Sequence, residues 1–130
     1  MQPTALNGLV LYVTDVAETL RVYKELGFTQ VHNRAPSYGS VRLGDFLIQF
    51  QDKHNPTDPA FIQEAMAEPK GGGLFVYILV PDVDRFYQQL IDQGTKVTTK
   101  PRDWPSGLRE FVIRDPDGYK LIFYEPRGLK

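Results

Sequence analysis

The sequence predicts an α+β fold: two copies of a β-α-β-β-β unit whose mixed sheet curves around a concave, aromatic-lined pocket. Three observations predict it: a short internal repeat, a helical apolar pattern of equal length after each copy, and a train of β-forming segments after each helix. Val13-Thr14-Asp15-Val16 matches Val80-Pro81-Asp82-Val83 at an offset of 67 residues. Each aspartate is followed by a glycine 12 residues on, Gly27 and Gly94.

The elements follow in order. Gly8 to Val13 is the first extended segment. Asp15 then stands at an N-cap position, where its carboxylate accepts from free backbone N–H groups, and Glu18 is spaced for a capping box. Val16, Leu20, Tyr23 and Leu26 fall on one helical face, and Gly27 stands where a C-cap belongs. Three β-rich segments follow, Thr29 to Arg34, Ser40 to Leu43 and Phe46 to Gln51. The second copy repeats the plan. Leu74 to Val80 is extended, Asp82 caps a helix with Val83, Phe86, Tyr87, Leu90 and Ile91 on its apolar face, and Gly94 ends it. Its β segments are Lys96 to Lys100, Arg109 to Arg114 and Tyr119 to Glu125.

The closing hairpins align on their glycines, Gly44 with Gly118, which is an offset of 74 and puts seven extra residues into the second half, most simply in Pro101 to Gly107. Modules over 7–51 and 74–126 are therefore expected within a single domain covering 1–130. The segment 52–73 between them, with Pro56, Pro59, Pro69 and three glycines around a short helix at Ala60 to Ala67, reads as a linker.

A chain of 130 residues is one domain's worth of core. With a net charge of −1 and scattered basic residues it has no footprint for a phosphate backbone, so nucleic acid is not an expected partner. Absence of cysteine excludes disulfides, thiolate metal sites and a cysteine nucleophile. The start, Met1-Gln2-Pro3-Thr4, lacks signal-peptide character, and the longest apolar run, Leu74 to Val80, is too short to cross a bilayer, so a cytoplasmic protein without membrane contact is expected.

Asp115-Pro116-Asp117-Gly118 is not a calcium loop, because Pro116 intervenes and Pro126 occupies the twelfth position; it reads as a tight turn. Gly71-Gly72-Gly73 lacks the lysine and hydroxyl residue of a phosphate loop. His32, on a strand beside Asn33 and Arg34, and His54, in the linker, read as surface or edge-strand histidines.

The repeat, the run from Val13-Thr14-Asp15-Val16 to Leu26-Gly27-Phe28, and Arg114-Asp115-Pro116-Asp117-Gly118 before the last strand together resemble the vicinal oxygen chelate superfamily of glyoxalase I, extradiol dioxygenases, fosfomycin resistance enzymes and bleomycin resistance proteins. Trp104-Pro105-Ser106-Gly107-Leu108-Arg109-Glu110-Phe111 is most similar to the bleomycin resistance branch. The resemblance implies metal ligands on the first and last strand of each module. By spacing from the caps and turns these positions are Gly8, Ile48, Phe75 and Ile122, none of which offers a donor. No metal and no other cofactor is therefore expected, and no catalytic residue is assigned.

From those positions, strand alternation turns Gly8, Val10, Tyr12, Ile48, Phe50, Phe75, Tyr77, Leu79, Ile122 and Tyr124 into the pocket. The resemblance places Tyr38 and Trp104 at its rim, stacking on a ligand, with Arg109 or Glu110 meeting charged groups. The expected ligand-binding set is Tyr12, Tyr38, Phe50, Tyr77, Trp104, Arg109, Phe111 and Tyr124. The expected function is metal-independent binding of an aromatic or antibiotic-like small molecule. The alternatives are an enzyme of the same superfamily, acting through another ligand set or through Tyr, Glu110 or Glu125, and a dimerisation module with a vestigial pocket. The resemblance further implies a homodimer, with Met1 to Leu6 as an arm that could be exchanged.

Overall fold

A computed structural model describes residues 1–6, 8–54 and 73–127. The chain divides into two compact units, Met1–Pro69 and Lys70–Lys130, each an α+β β-α-β-β-β module. The expected linker helix at Ala60 to Ala67 lies outside the described residues.

The first unit runs β1 (Gly8–Val13), α1 (Val16–Glu25), β2 (Thr29–Arg34), β3 (Tyr38–Leu43) and β4 (Phe46–Asp52), with sheet order β1-β4-β3-β2. β1 lies parallel to β4, while β4-β3 and β3-β2 are antiparallel. Helix α1 starts as the sequence requires: the Asp15 carboxylate accepts from the Glu18 N–H at 3.1 Å. The Glu18 carboxylate does not return the bond that a capping box needs; it is held by Arg21 at 2.6 Å. Gly27 ends the helix at φ 102°. Val16, Leu20 and Tyr23 are buried on one sheet face with Leu11, Val13, Val41, Ile48 and Phe50, and the Tyr23 and Phe50 rings lie 4.8 Å apart.

The second unit runs β5 (Phe75–Leu79), α2 (Val83–Asp92), β6 (Arg102–Asp103), β7 (Leu108–Arg114) and β8 (Lys120–Pro126), with order β5-β8-β7-β6. Asp82 caps α2 by accepting from the Arg85 N–H at 3.1 Å. The helix covers Phe111, Ile113, Leu121 and Phe123, all within 1% of complete burial, through Phe86 and Tyr87, whose rings lie 5.0 Å from Phe123 and 5.4 Å from Phe111. Ile91, expected on this apolar face, is instead exposed.

The strand expected at Lys96 to Lys100 does not form. Thr98 and Thr99 lie alongside β7, but their hydroxyls take over the ladder: Thr99 Oγ1 accepts from the Val112 N–H at 2.9 Å and Thr98 Oγ1 from the Arg114 N–H at 3.1 Å. Side-chain acceptors standing in for carbonyls break the regular alternation, and Pro101 supplies no N–H, so pairing resumes only at Arg102. The Asp115–Tyr119 connection is the tight turn expected, with Asp115 Oδ1 accepting from Asp117 N and Tyr119 N at 2.9 and 3.0 Å.

Candidate functional site

One face of each sheet is covered by its helix, and the register names the residues on the other, open face. In the first unit Val10, Gln49, Ser40 and His32 are cross-strand neighbours, and Tyr12, Gln51, Tyr38 and Arg34 form the next row. This face is polar. The Tyr38 hydroxyl donates to Gln49 Oε1 at 3.4 Å, His32 Nδ1 lies 3.2 Å from the buried Ser40 hydroxyl, and Arg34 is exposed. His32 therefore sits on an edge strand in a structural contact, as the sequence suggested.

The register corrects two expectations. Ile48 and Phe50 do not face the open side: they pair with Leu9 and Leu11 on the helix face and are fully buried. The hairpin loops cause the error. Leu43 and Phe46 close a two-residue loop, whereas Arg114 and Lys120 close a five-residue one, so alignment on the glycines is out of phase by one residue and reverses the assigned face. The residue equivalent to Ile122 is Gln49, paired with Val10 as Ile122 is with Tyr77.

In the second unit the open face carries Phe75, Tyr77 and Leu79 from β5, Lys120, Ile122 and Tyr124 from β8, Glu110 and Val112 from β7, and Arg102 from β6. Phe75, Tyr77 and Leu79 are 50%, 50% and 63% exposed, although all three are apolar or aromatic and adjacent on one strand. The Tyr77 and Tyr124 rings meet edge to face at 5.5 Å. Lys120 Nζ stands 4.6 Å over the Phe75 ring.

Beside Tyr124 in the register is Glu110, buried to 8% exposure. Among the described residues its carboxylate has no hydrogen-bond or ion-pair partner. Burial pushes its pKa up, opposed by the charge of Arg102. Tyr77 is also pushed up, by desolvation first and then by the charge of Glu110. Arg102, directly opposite Glu110 across β6 and β7, is turned away: its guanidinium stacks on the half-exposed Trp104 ring, 3.9 Å from the centroid. Trp104 is held by the hairpin, its N–H donating to the Leu108 carbonyl at 2.8 Å and its carbonyl accepting from Gly107 at 3.0 Å.

The structure thus brings together Tyr77 and Tyr124 of the expected ligand-binding set, places Trp104 beyond the edge strand of the same sheet against Arg102, and leaves Tyr12 and Tyr38 on the open face of the other unit. Three members fall elsewhere. Phe50 and Phe111 are fully buried core, the latter stacked on Phe123 at 5.4 Å. Arg109 alternates onto the helix face, where it binds Asp84 through two nitrogens at 2.8 and 2.9 Å and Asp103 at 3.3 Å. Arg102 was not singled out from the sequence. Its position two residues before Trp104 on the same strand-and-turn segment was the available signal.

A metal fits poorly at the family-implied positions. Gly8, Phe75 and Ile122 have no donor, and the fourth, corrected to Gln49, offers one amide. Asp82, Asp84 and Glu125 do bring oxygens within 4.8 Å of one another. Those oxygens have other work: Asp82 caps α2, Glu125 accepts from the Val83 N–H at 3.0 Å, and Asp84 is bound by Arg109 and by Arg127 at 3.2 Å, which holds its pKa down. Glu125 sits in an unbroken β8 register; no bulge turns it to the open face.

Comparison with known proteins gives the same architecture. The model of the glyoxalase/bleomycin resistance protein/dioxygenase superfamily matches residues 5–123. No curated protein matches the sequence. Among solved structures, a lactoylglutathione lyase from Agrobacterium tumefaciens is 20% identical with a TM-score of 0.71, covering 95% of both chains. A superfamily member from Sphaerobacter thermophilus is 21% identical with a TM-score of 0.70, covering 95% of this chain and 98% of that one. A glyoxalase/bleomycin resistance protein/dioxygenase from Nocardioides is 19% identical with a TM-score of 0.72, covering 98% and 90%. At these identities the likeness is one of fold. Among the described residues no helix is long and apolar enough to cross a membrane.

Proposed function

Because the chain belongs to the glyoxalase/bleomycin resistance protein/dioxygenase superfamily, we propose that it is a metal-independent binding protein for a small planar molecule, aromatic or heterocyclic, held on the open face of the second unit's sheet. The observation that carries this reading is the half-exposed row Phe75, Tyr77 and Leu79 beside Tyr124. Isolated exposed apolar side chains are ordinary, but a contiguous group on one sheet face marks an interaction surface. Rings stack on rings there, and the Tyr77 and Tyr124 hydroxyls have no partner among the described residues, which leaves two groups to orient a ligand.

A thermal-shift screen of planar heterocycles, including aromatic antibiotics, on chelator-treated protein tests this reading. At 100 times its dissociation constant a ligand adds about 2.7 kcal/mol. Stabilisation that Tyr77→Ala abolishes supports the reading; stabilisation seen only after a divalent metal is added rejects it.

A second reading rests on Glu110. A buried carboxyl with raised proton affinity beside a phenol suits general acid–base work, and the chain would then be a metal-free enzyme acting on a small metabolite. Turnover of a stabilising ligand, followed by NMR and lost in Glu110→Gln, would establish it over simple binding. We further propose a cytoplasmic homodimer of single-domain chains.

A further inference from the structure

Glu110 breaks an ordinary rule of sheets. It occupies β7, an inner strand of the order β5-β8-β7-β6, and is more than nine-tenths buried, yet its carboxylate is unpartnered among the described residues. The stem is covered while both carboxylate oxygens keep an edge to solvent, and a carboxylate so largely desolvated carries a cost that folded proteins normally offset with an arginine, a lysine or backbone N–H groups. The means were at hand, because Arg102 is its direct cross-strand neighbour. Instead Arg102 lies flat on Trp104 at 3.9 Å. The other neighbours, Tyr124 beside it and Tyr77 within reach of its charge, present ring faces and neutral hydroxyls. An acceptor is thus held without a donor, among rings whose faces attract cations.

We propose that Glu110 is the specificity-determining residue of this face, and that the molecule it selects is a planar ring system bearing a protonated, amidine-like nitrogen pair that donates to the carboxylate while the rings stack on Tyr77 and Tyr124. This rests on the reading of the face as a small-molecule site and adds the charge and donor pattern of what enters. A planar pair of N–H donors matches the two oxygens of a carboxylate in a fork, and such charge-assisted bonds are short and directional. An anionic ring would bring like charge to a group whose one cross-strand cation, Arg102, is engaged on Trp104, and a neutral amide would supply a single weaker donor group.

Three probes of one shape decide it: 2-naphthamidine, 2-naphthamide and 2-naphthoate, titrated into the full chain and followed by ¹H–¹⁵N NMR. The amidine should move the amides of β5, β7 and β8 and bind about tenfold or more tightly than the amide, with the carboxylate weakest, as a hydrogen bond to a charged group implies. Glu110→Gln, nearly isosteric, should lose about tenfold for the amidine and leave the amide within about twofold. The ordering of the three probes on the wild-type chain tests the selecting role whether or not the variant folds. Equal affinities for all three, or an amidine affinity that Glu110→Gln leaves unchanged, overturn the selecting role while the aromatic site stands. No shift on β5, β7 or β8 with any probe overturns both.

Discussion

Glu110 is charged at a cost, and that cost has a pH signature. The groups facing it are Arg102 on β6, Tyr77 on β5 and Tyr124 on β8, and burial outweighs the pull of Arg102, so its folded pKa lies above the unfolded one. The protonated form therefore contributes stability that is fully present below the ordinary glutamate pKa of about 4.3 and is lost as pH rises through the raised value. Glu110→Gln mimics that form. It should melt with wild type near pH 4 and above wild type at pH 7, a crossover that differential scanning calorimetry at the two pH values would show. The aromatic residues divide in the same way by face. Phe50→Ala and Phe111→Ala should each lower stability by about 3–5 kcal/mol in urea unfolding, because both are fully buried. Tyr77→Ala, half exposed, should lower it by less than about 1 kcal/mol and remove binding.

At the scale of elements, α1 and α2 were legible because their signals are local. Asp15 and Asp82 cap, Gly27 and Gly94 terminate, and the period between them names the buried face, with Ile91 the exception. The strand faces were legible only where register could be counted. β5 and β8 kept phase, so Phe75, Tyr77, Ile122 and Tyr124 share the face assigned to them, with Ile122 itself buried. In the first unit a two-residue hairpin stood where the alignment assumed the geometry of a five-residue one, and Ile48 and Phe50 changed sides. Arg109 and Phe111 leave the expected set because Leu108 to Arg114 is an alternating strand, in which only every second residue shares a face with Glu110. The loss of the strand at Lys96 to Lys100 depended on hydroxyls reaching backbone N–H groups, a tertiary event that composition does not announce. Thr98→Val and Thr99→Val should each lower stability by about 1 kcal/mol, since each leaves a β7 N–H without its acceptor. Gly39→Ala on β3 should cost about 1–3 kcal/mol in chemical unfolding, because a Cβ there would stand 2.7 Å from Leu20 Cδ1 in a packed core.

For the whole molecule, the two units share a topology and differ in chemistry. The open face of the first is polar, with Gln49, Ser40, His32 and Arg34; that of the second is aromatic around one buried acid. The repeated scaffold carries tyrosines on both open faces, set among polar side chains in the first sheet and beside Phe75, Leu79 and Ile122 in the second. If a second copy of the chain were the occupant of that surface, Tyr77→Ala would dissociate the proposed homodimer, and light scattering would report particles of the 14.8 kDa monomer; the binding account predicts that the variant remains dimeric. The most direct measurement uses the single tryptophan of the chain, which gives one indole N–H signal in a ¹H–¹⁵N spectrum. With chelator-treated protein and 2-naphthamidine, the account predicts that the Trp104 indole signal and the amides of Phe75 to Leu79 shift together to saturation, and that Tyr77→Ala abolishes the response. A spectrum that stays still until a divalent metal is added, or shifts confined to β1–β4, would contradict it.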